Sequence, residues 1–148
     1  MSEISFRIHS LFCGLDKGLV EKRDKLFINE NGVVDDYHND PHIILLDFDT
    51  YQIMSQNKEY ALCMTKFYPH IVIDKRMNLS QNDVLINKNM KLKVVQCGKR
   101  CHMNQGCEYS KLNDVCHLSK YTFYLKCESS GEININEEWG IIKCIDTQ

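Results

Sequence analysis

Four of the chain's eight cysteines fall in one stretch, Gln96-Cys97-Gly98-Lys99-Arg100-Cys101-His102, Gly106-Cys107 and Val115-Cys116. Cys101 stands beside Lys99, Arg100 and His102. Neighbouring positive charge favours thiolate over thiol, and the thiolate is both the nucleophile and the soft-metal ligand. Cys101 is therefore the candidate catalytic and metal-binding residue, with Cys107 and Cys116 as resolving thiols, extra ligands or loop packing. The competing reading of any free cysteine is a small buried hydrophobe. That reading is expected for the scattered Cys13, Cys63, Cys127 and Cys144, and for Cys97, which lies on a strand.

A second constellation is Asp36 and His38. Two residues apart on extended chain they share one face, where they could orient a ligand or shuttle a proton. A solvated turn is the alternative, because Asp35, Asn39 and Asp40 around them are loop residues. Two other chemistries remain open for the cysteine stretch. Cys101, Cys107 and Cys116 with His102 or His117 supply enough ligands for tetrahedral zinc, although paired Cys-x2-Cys knuckles are missing. Alternatively, Cys101 pairs with Cys107 or Cys116 in a thiol redox module.

The elements that must position these residues read as strands. Phe6, Ile8 and Ser10 alternate with Arg7 and His9, as on a half-buried strand. Leu26 and Ile28 form a short strand ending at the Asn31-Gly32 turn signal. Residues 42–48 read as a buried strand, because the apolar residues 43–46 within them are continuous rather than alternating. One main helix is expected near residues 50–64, capped by Asp49 or Thr50. Further strands follow at 70–73, at 84–86 after a turn at Gln81-Asn82-Asp83, and at Met90, Leu92 and Val94. Tyr121, Phe123 and Leu125 alternate in another, Ser129-Ser130-Gly131 suggests a hairpin, and 133–145 supplies closing strands. Seven or more short strands with one main helix and few short ones predict a mainly β, barrel-like fold, which leaves no unpaired edges.

The composition fits one domain over residues 1–148. At 43% hydrophobic and 26% charged the chain is globular, and its 18 basic against 20 acidic side chains form no basic stripe for nucleic acid. The apolar run 43–46 is far too short for a bilayer, and the polar start lacks a signal-peptide layout. A reducing, cytoplasmic setting with free thiols is expected, and a chain this long needs no disulfide to fold. There is no dinucleotide fingerprint, so a redox reaction would draw electrons from a partner.

Taken in order, the motifs resemble the MOSC family, named after the C-terminal domain of molybdenum cofactor sulfurases. Gly32-Val33-Val34-Asp35-Asp36-Tyr37-His38 is similar to its Gly-hydrophobic-x-Gly-Asp-x-His signature. Residues 43–46 fall where the family has a Ser-Leu-(Leu/Ile) strand. The stretch from Leu79 through Gly98-Lys99, Cys101-His102, Gly106-Cys107, Cys116 and Gly131-Glu132-Ile133 looks like the family's C-terminal half. The chain departs from the pattern at Asp35 for the second glycine, at Pro41-His42 for an arginine and at His70 for an asparagine. It departs again at 121–125, where a glycine is lost. The resemblance implies a MOSC-like β-barrel that binds molybdenum cofactor (molybdopterin) or carries sulfur on Cys101. Asp36, His38, Lys99, Arg100 and His102 would then be the cofactor-binding residues. It further implies molybdenum-ion and pyridoxal-phosphate binding, and a molybdoenzyme or sulfur donor protein as partner. Zinc is the alternative metal.

Overall fold

The structure is a computed structural model that describes residues 5–16, 19–37, 40–56, 67–88, 90–98 and 120–144. The strands are β1 (Ser5–Asp16), β2 (Leu19–Arg23), β3 (Lys25–Asn29), β4 (Gly32–Val33), β5 (Ile43–Asp47), β6 (Ile71–Ile73), β7 (Val84–Asn87), β8 (Met90–Cys97), β9 (Phe123–Ser129), β10 (Gly131–Asn134) and β11 (Glu138–Ile142). The helix, α1 (Phe48–Gln56), lies between β5 and β6.

The alternation in the sequence becomes the inside and outside of a closed β-barrel. In β1, Phe6, Ile8 and Ser10 are buried and Arg7 and His9 exposed. In β8, Met90, Leu92 and Val94 are buried while Lys91 is exposed. Seven strands follow one another in the order β11-β7-β8-β9-β5-β6-β1, and β1 closes the ring on β11 through Phe6↔Trp139. The second half of β1 continues past the ring and pairs with β2. A small sheet, β10-β3-β4, adds Leu26, Ile28 and Ile133 to the same core. Each such side chain contributes about 1.5–3 kcal/mol of burial, which offsets the entropy of ordering so many short strands.

One pairing is parallel: Leu45↔Ile71, Leu46↔Val72 and Asp47↔Ile73 join β5 to β6. Parallel neighbours need a crossover, and α1 lies in it, packed on both strands. That arrangement explains the uninterrupted apolar run of β5, where Ile43, Leu45 and Leu46 are all buried.

Four expectations are corrected. The helix starts earlier than the sequence suggests, because β5 runs directly into it and Asp47 is its cap. The Asp47 carboxylate accepts the Thr50 N–H at 3.0 Å and the Thr50 hydroxyl at 2.8 Å. The end of the predicted helix, residues 57–64, lies outside the described residues. Ser129-Ser130-Gly131 is not a hairpin. β9 pairs with β8 and β5, whereas β10 pairs with β3, so the chain changes sheets at Ser130 and buries Ile133 against Leu26. Tyr121 precedes β9 rather than belonging to it. Finally, Cys97 and Cys144 are exposed, not packed; Cys13 is buried as expected and Cys127 half-buried.

Candidate functional site

Asp36 sits one residue past a backbone that the turn forces into the left-handed region at Asp35, where φ is 70°. Its side chain is 3% exposed. The Gly14 N–H donates to its Oδ1 at 2.6 Å, and the Tyr68 hydroxyl lies 3.2 Å from each carboxylate oxygen. The Tyr37 N–H returns a bond to the Gly14 carbonyl at 2.7 Å, so the turn is tied to β1 from both sides. Gly14 is required there: a Cβ would run into the Tyr68 hydroxyl and stand 3.2 Å from Asp36 Oδ1. Asp36 is thus a buried carboxylate, not part of a solvated turn.

His70 completes the group. Its Nδ1 accepts the Ile44 N–H at 3.1 Å, and the His70 backbone N–H donates to the Ile44 carbonyl at 2.9 Å. An accepting Nδ1 leaves a ring proton on Nε2, on the side of Asp36. Nε2 is 3.3 Å from Asp36 Oδ2 but is not aligned as a hydrogen bond, and it has no other partner among the described residues. Because Nδ1 is committed to backbone, this Asp–His pair is not a general-base dyad. It fastens the entrance of β6 to β5 and to the Asp36 turn.

Burial by itself would favour the neutral acid at Asp36. His70, the Gly14 N–H and the Tyr68 hydroxyl outweigh it and hold the carboxyl below its usual range. The same carboxylate, after burial, raises the Tyr68 hydroxyl, so tyrosine remains a donor. Burial also raises the Cys13 thiol, against the pull of Arg23, and this keeps it an inert packing group.

Behind this network the outer face of the barrel carries a cleft of about 160 Å³. Asp40, His42, Phe67, Tyr68, His70 and Tyr124 line it over Ile44. His42 stands edge-on to Tyr124 with ring centroids 6.3 Å apart, and Tyr68 edge-on to His70 at 5.6 Å. Asp40 Oδ1 lies 3.1 Å from His42 Nδ1.

Of the residues singled out in the sequence, Asp36 is in the site. His38, Lys99, Arg100, Cys101, His102, Cys107, Cys116 and His117 lie outside the described residues. The structure does describe both anchors of the cysteine stretch. β8 ends at Cys97, and Gly98 follows it with a φ of 90° and an N–H that donates to the Thr122 carbonyl at 2.7 Å. Cys97 pairs with Phe123, and Gln96 with Tyr124, a wall of the cleft. Among the described residues no three His, Cys, Asp or Glu side chains converge as a metal site. Sequence reasoning missed Gly14, Tyr68 and His70 as partners of Asp36. An isolated glycine inside a strand signals close approach and could have revealed Gly14; Tyr68 carried no signal.

The described cleft does not fit the molybdenum cofactor. It is smaller than the roughly 300 Å³ at which pockets for drug-sized ligands begin. No cysteine, lysine or arginine lines it among the described residues, while Asp40 does, and an anionic phosphate would be repelled there.

The fold and this site define a mainly β barrel protein with a single described helix and a buried carboxylate behind an aromatic cleft. No family model matches the chain, and no curated protein matches it. Among solved structures, the YuaD protein from Bacillus subtilis has a similar fold, with a TM-score of 0.66 at 11% identity over 95% of this chain and 97% of that one. A second crystal structure, of a hypothetical protein, gives a TM-score of 0.65 at 13% identity over 98% of this chain and 71% of the other. At such identities the likeness is one of fold. No helix among the described residues is long and apolar enough to cross a membrane.

Proposed function

We propose that the chain is a sulfur-carrying domain of the MOSC type, acting in molybdenum cofactor metabolism with Cys101 as the carrier thiol. The supporting observation is backbone shape at the positions where the family pattern has glycine. Gly32, Asp35 and Gly98 occupy those positions, with φ of 103°, 70° and 90°. Glycine is at ease in that region, and most other residues are not. Asp35 adopts the left-handed backbone that a glycine at that position would take, which supports the resemblance although the residue type differs. The next residue of that signature, Asp36, is the buried carboxylate of the site.

In the carrier reaction the Cys101 thiolate attacks the outer sulfur of a persulfide on a donor. The donor's S–S bond breaks, the donor leaves as a thiolate, and Cys101 becomes the persulfide. Lys99, Arg100 and His102 favour the attacking thiolate. Asp36 and His70 hold the signature turn against β1 and β6, and take no proton from the sulfur.

Limited alkylation with peptide mapping tests the ranking of thiols. Cys101 should label faster than Cys97 and Cys144; the Cys97 sulfur, 3.8 Å from the Leu79 carbonyl, is partly desolvated, and that together with the Asp83 charge raises its thiol. Treatment with glutathione persulfide should add one sulfur atom to the Cys101 peptide, and Cys101→Ser should lose it while Cys144→Ser keeps it. Labelling of Cys101 no faster than Cys144, or stoichiometric zinc in the purified protein, overturns the carrier reading.

A further inference from the structure

We propose that the cleft beside His70 is a binding site for a small methylated ammonium ion of the choline type, a role separate from the chemistry of Cys101.

His42, Phe67, Tyr68 and Tyr124 bring four aromatic side chains to one small cleft, and Asp40 adds a carboxylate. A second carboxylate, Asp36, stands behind Tyr68, 3.2 Å from its hydroxyl. Among the described residues no lysine or arginine lines the cleft to balance them. Aromatic faces carry the negative end of the ring quadrupole, so the rings and the two carboxylates favour a cation.

The kind of cation follows from hydration and size. A primary ammonium is strongly hydrated and holds that water against aromatic walls, whereas a methylated ammonium spreads its charge under an apolar surface. Aromatic cages are the usual receptors for such ions. A volume of about 160 Å³ admits a headgroup and a short tail, not a larger ligand. Asp40 disfavours a ligand with its own carboxylate, which selects choline over betaine.

The test is a titration of the whole chain with choline at pH 8, where an ordinary imidazole is uncharged, followed by calorimetry and by shifts of aromatic NMR signals. Three other ligands are run beside it. One is the neutral analogue bearing a tert-butyl group in place of trimethylammonium; the others are ethanolamine and betaine. Choline should saturate in about the millimolar range, with the neutral analogue and ethanolamine weaker by roughly tenfold or more. Tyr124→Leu should weaken choline about tenfold, Tyr124→Trp should retain it, and Asp40→Asn should cost a few-fold. Asp40 is an exposed loop residue, so its variant reads charge without threatening the fold. Equal binding of the neutral analogue, no saturable binding of choline, or unchanged affinity in both Tyr124→Leu and Asp40→Asn overturns the proposal.

Discussion

Gly14 gives its N–H to Asp36 and leaves no room for a Cβ beneath Tyr68, so an alanine there would push on a buried carboxylate and its donors together. Gly14→Ala should destabilise the chain by about 2 kcal/mol, the scale of a broken buried hydrogen-bond network, measured by urea unfolding. A change under about 0.5 kcal/mol would mean that the network is slack. The charged state of Asp36 has a consequence for pH. Asp36 and Asp83 are both held below the ordinary carboxyl range in the folded chain: burial opposes this at each, and hydrogen bonds and neighbours outweigh it. The unfolded chain therefore takes up these protons first as pH falls. The stability they add is complete above the unfolded carboxyl value of about 3.9, and it is lost as pH falls through the depressed folded values. Asp83 is fully buried, with Lys143 at 2.6 Å and the Cys144 and Ser80 N–H groups at 2.8 Å. Asp83→Asn should flatten the acid limb of the stability curve, and an unchanged slope would contradict the assignment.

At the scale of elements, the junction of β5 and α1 carries most of the unexpected structure. Asp47 ends the strand and caps the helix, and Arg76 reaches both Asp47 and Thr50 at 3.4 and 3.3 Å. The same guanidinium lies 3.7 Å over the Tyr121 ring, where the chain re-enters the barrel before β9. Asp47→Ala removes the cap and should cost about 1–2 kcal/mol, with helical circular dichroism falling; Asp49→Ala should cost far less. Equal losses at the two positions would restore the cap that the sequence suggested. The pattern of strand and turn residues located β5 and the crossover helix but gave no sign that β5 and β6 run parallel. Short apolar runs look alike in either direction, and direction is fixed only by what lies between them.

For the molecule as a whole, closure rests on β11 meeting β1. Trp139, 1% exposed, faces Phe6 across that seam and belongs to the common core. Trp139→Ala should cost about 3–5 kcal/mol and open the seam to hydrogen exchange in β1 and β11 first. Protection lost evenly around the barrel would show that the seam is not its weak point.

The sequence by itself determined which residues face inward, because a strand's side chains alternate whatever its neighbours are; Phe6, Ile8, Met90, Leu92 and Val94 were legible for that reason. It also located the turn at Gly32, since the left-handed backbone there leaves a residue-type signature. Only the tertiary structure decided that Asp36 is buried rather than solvated. Its partners come from positions 14, 68 and 70, and no local pattern connects residues so far apart in the chain. The sheet change at Ser130 was hidden for the same reason, because pairing partners are chosen by where the core lies and not by the turn between two strands.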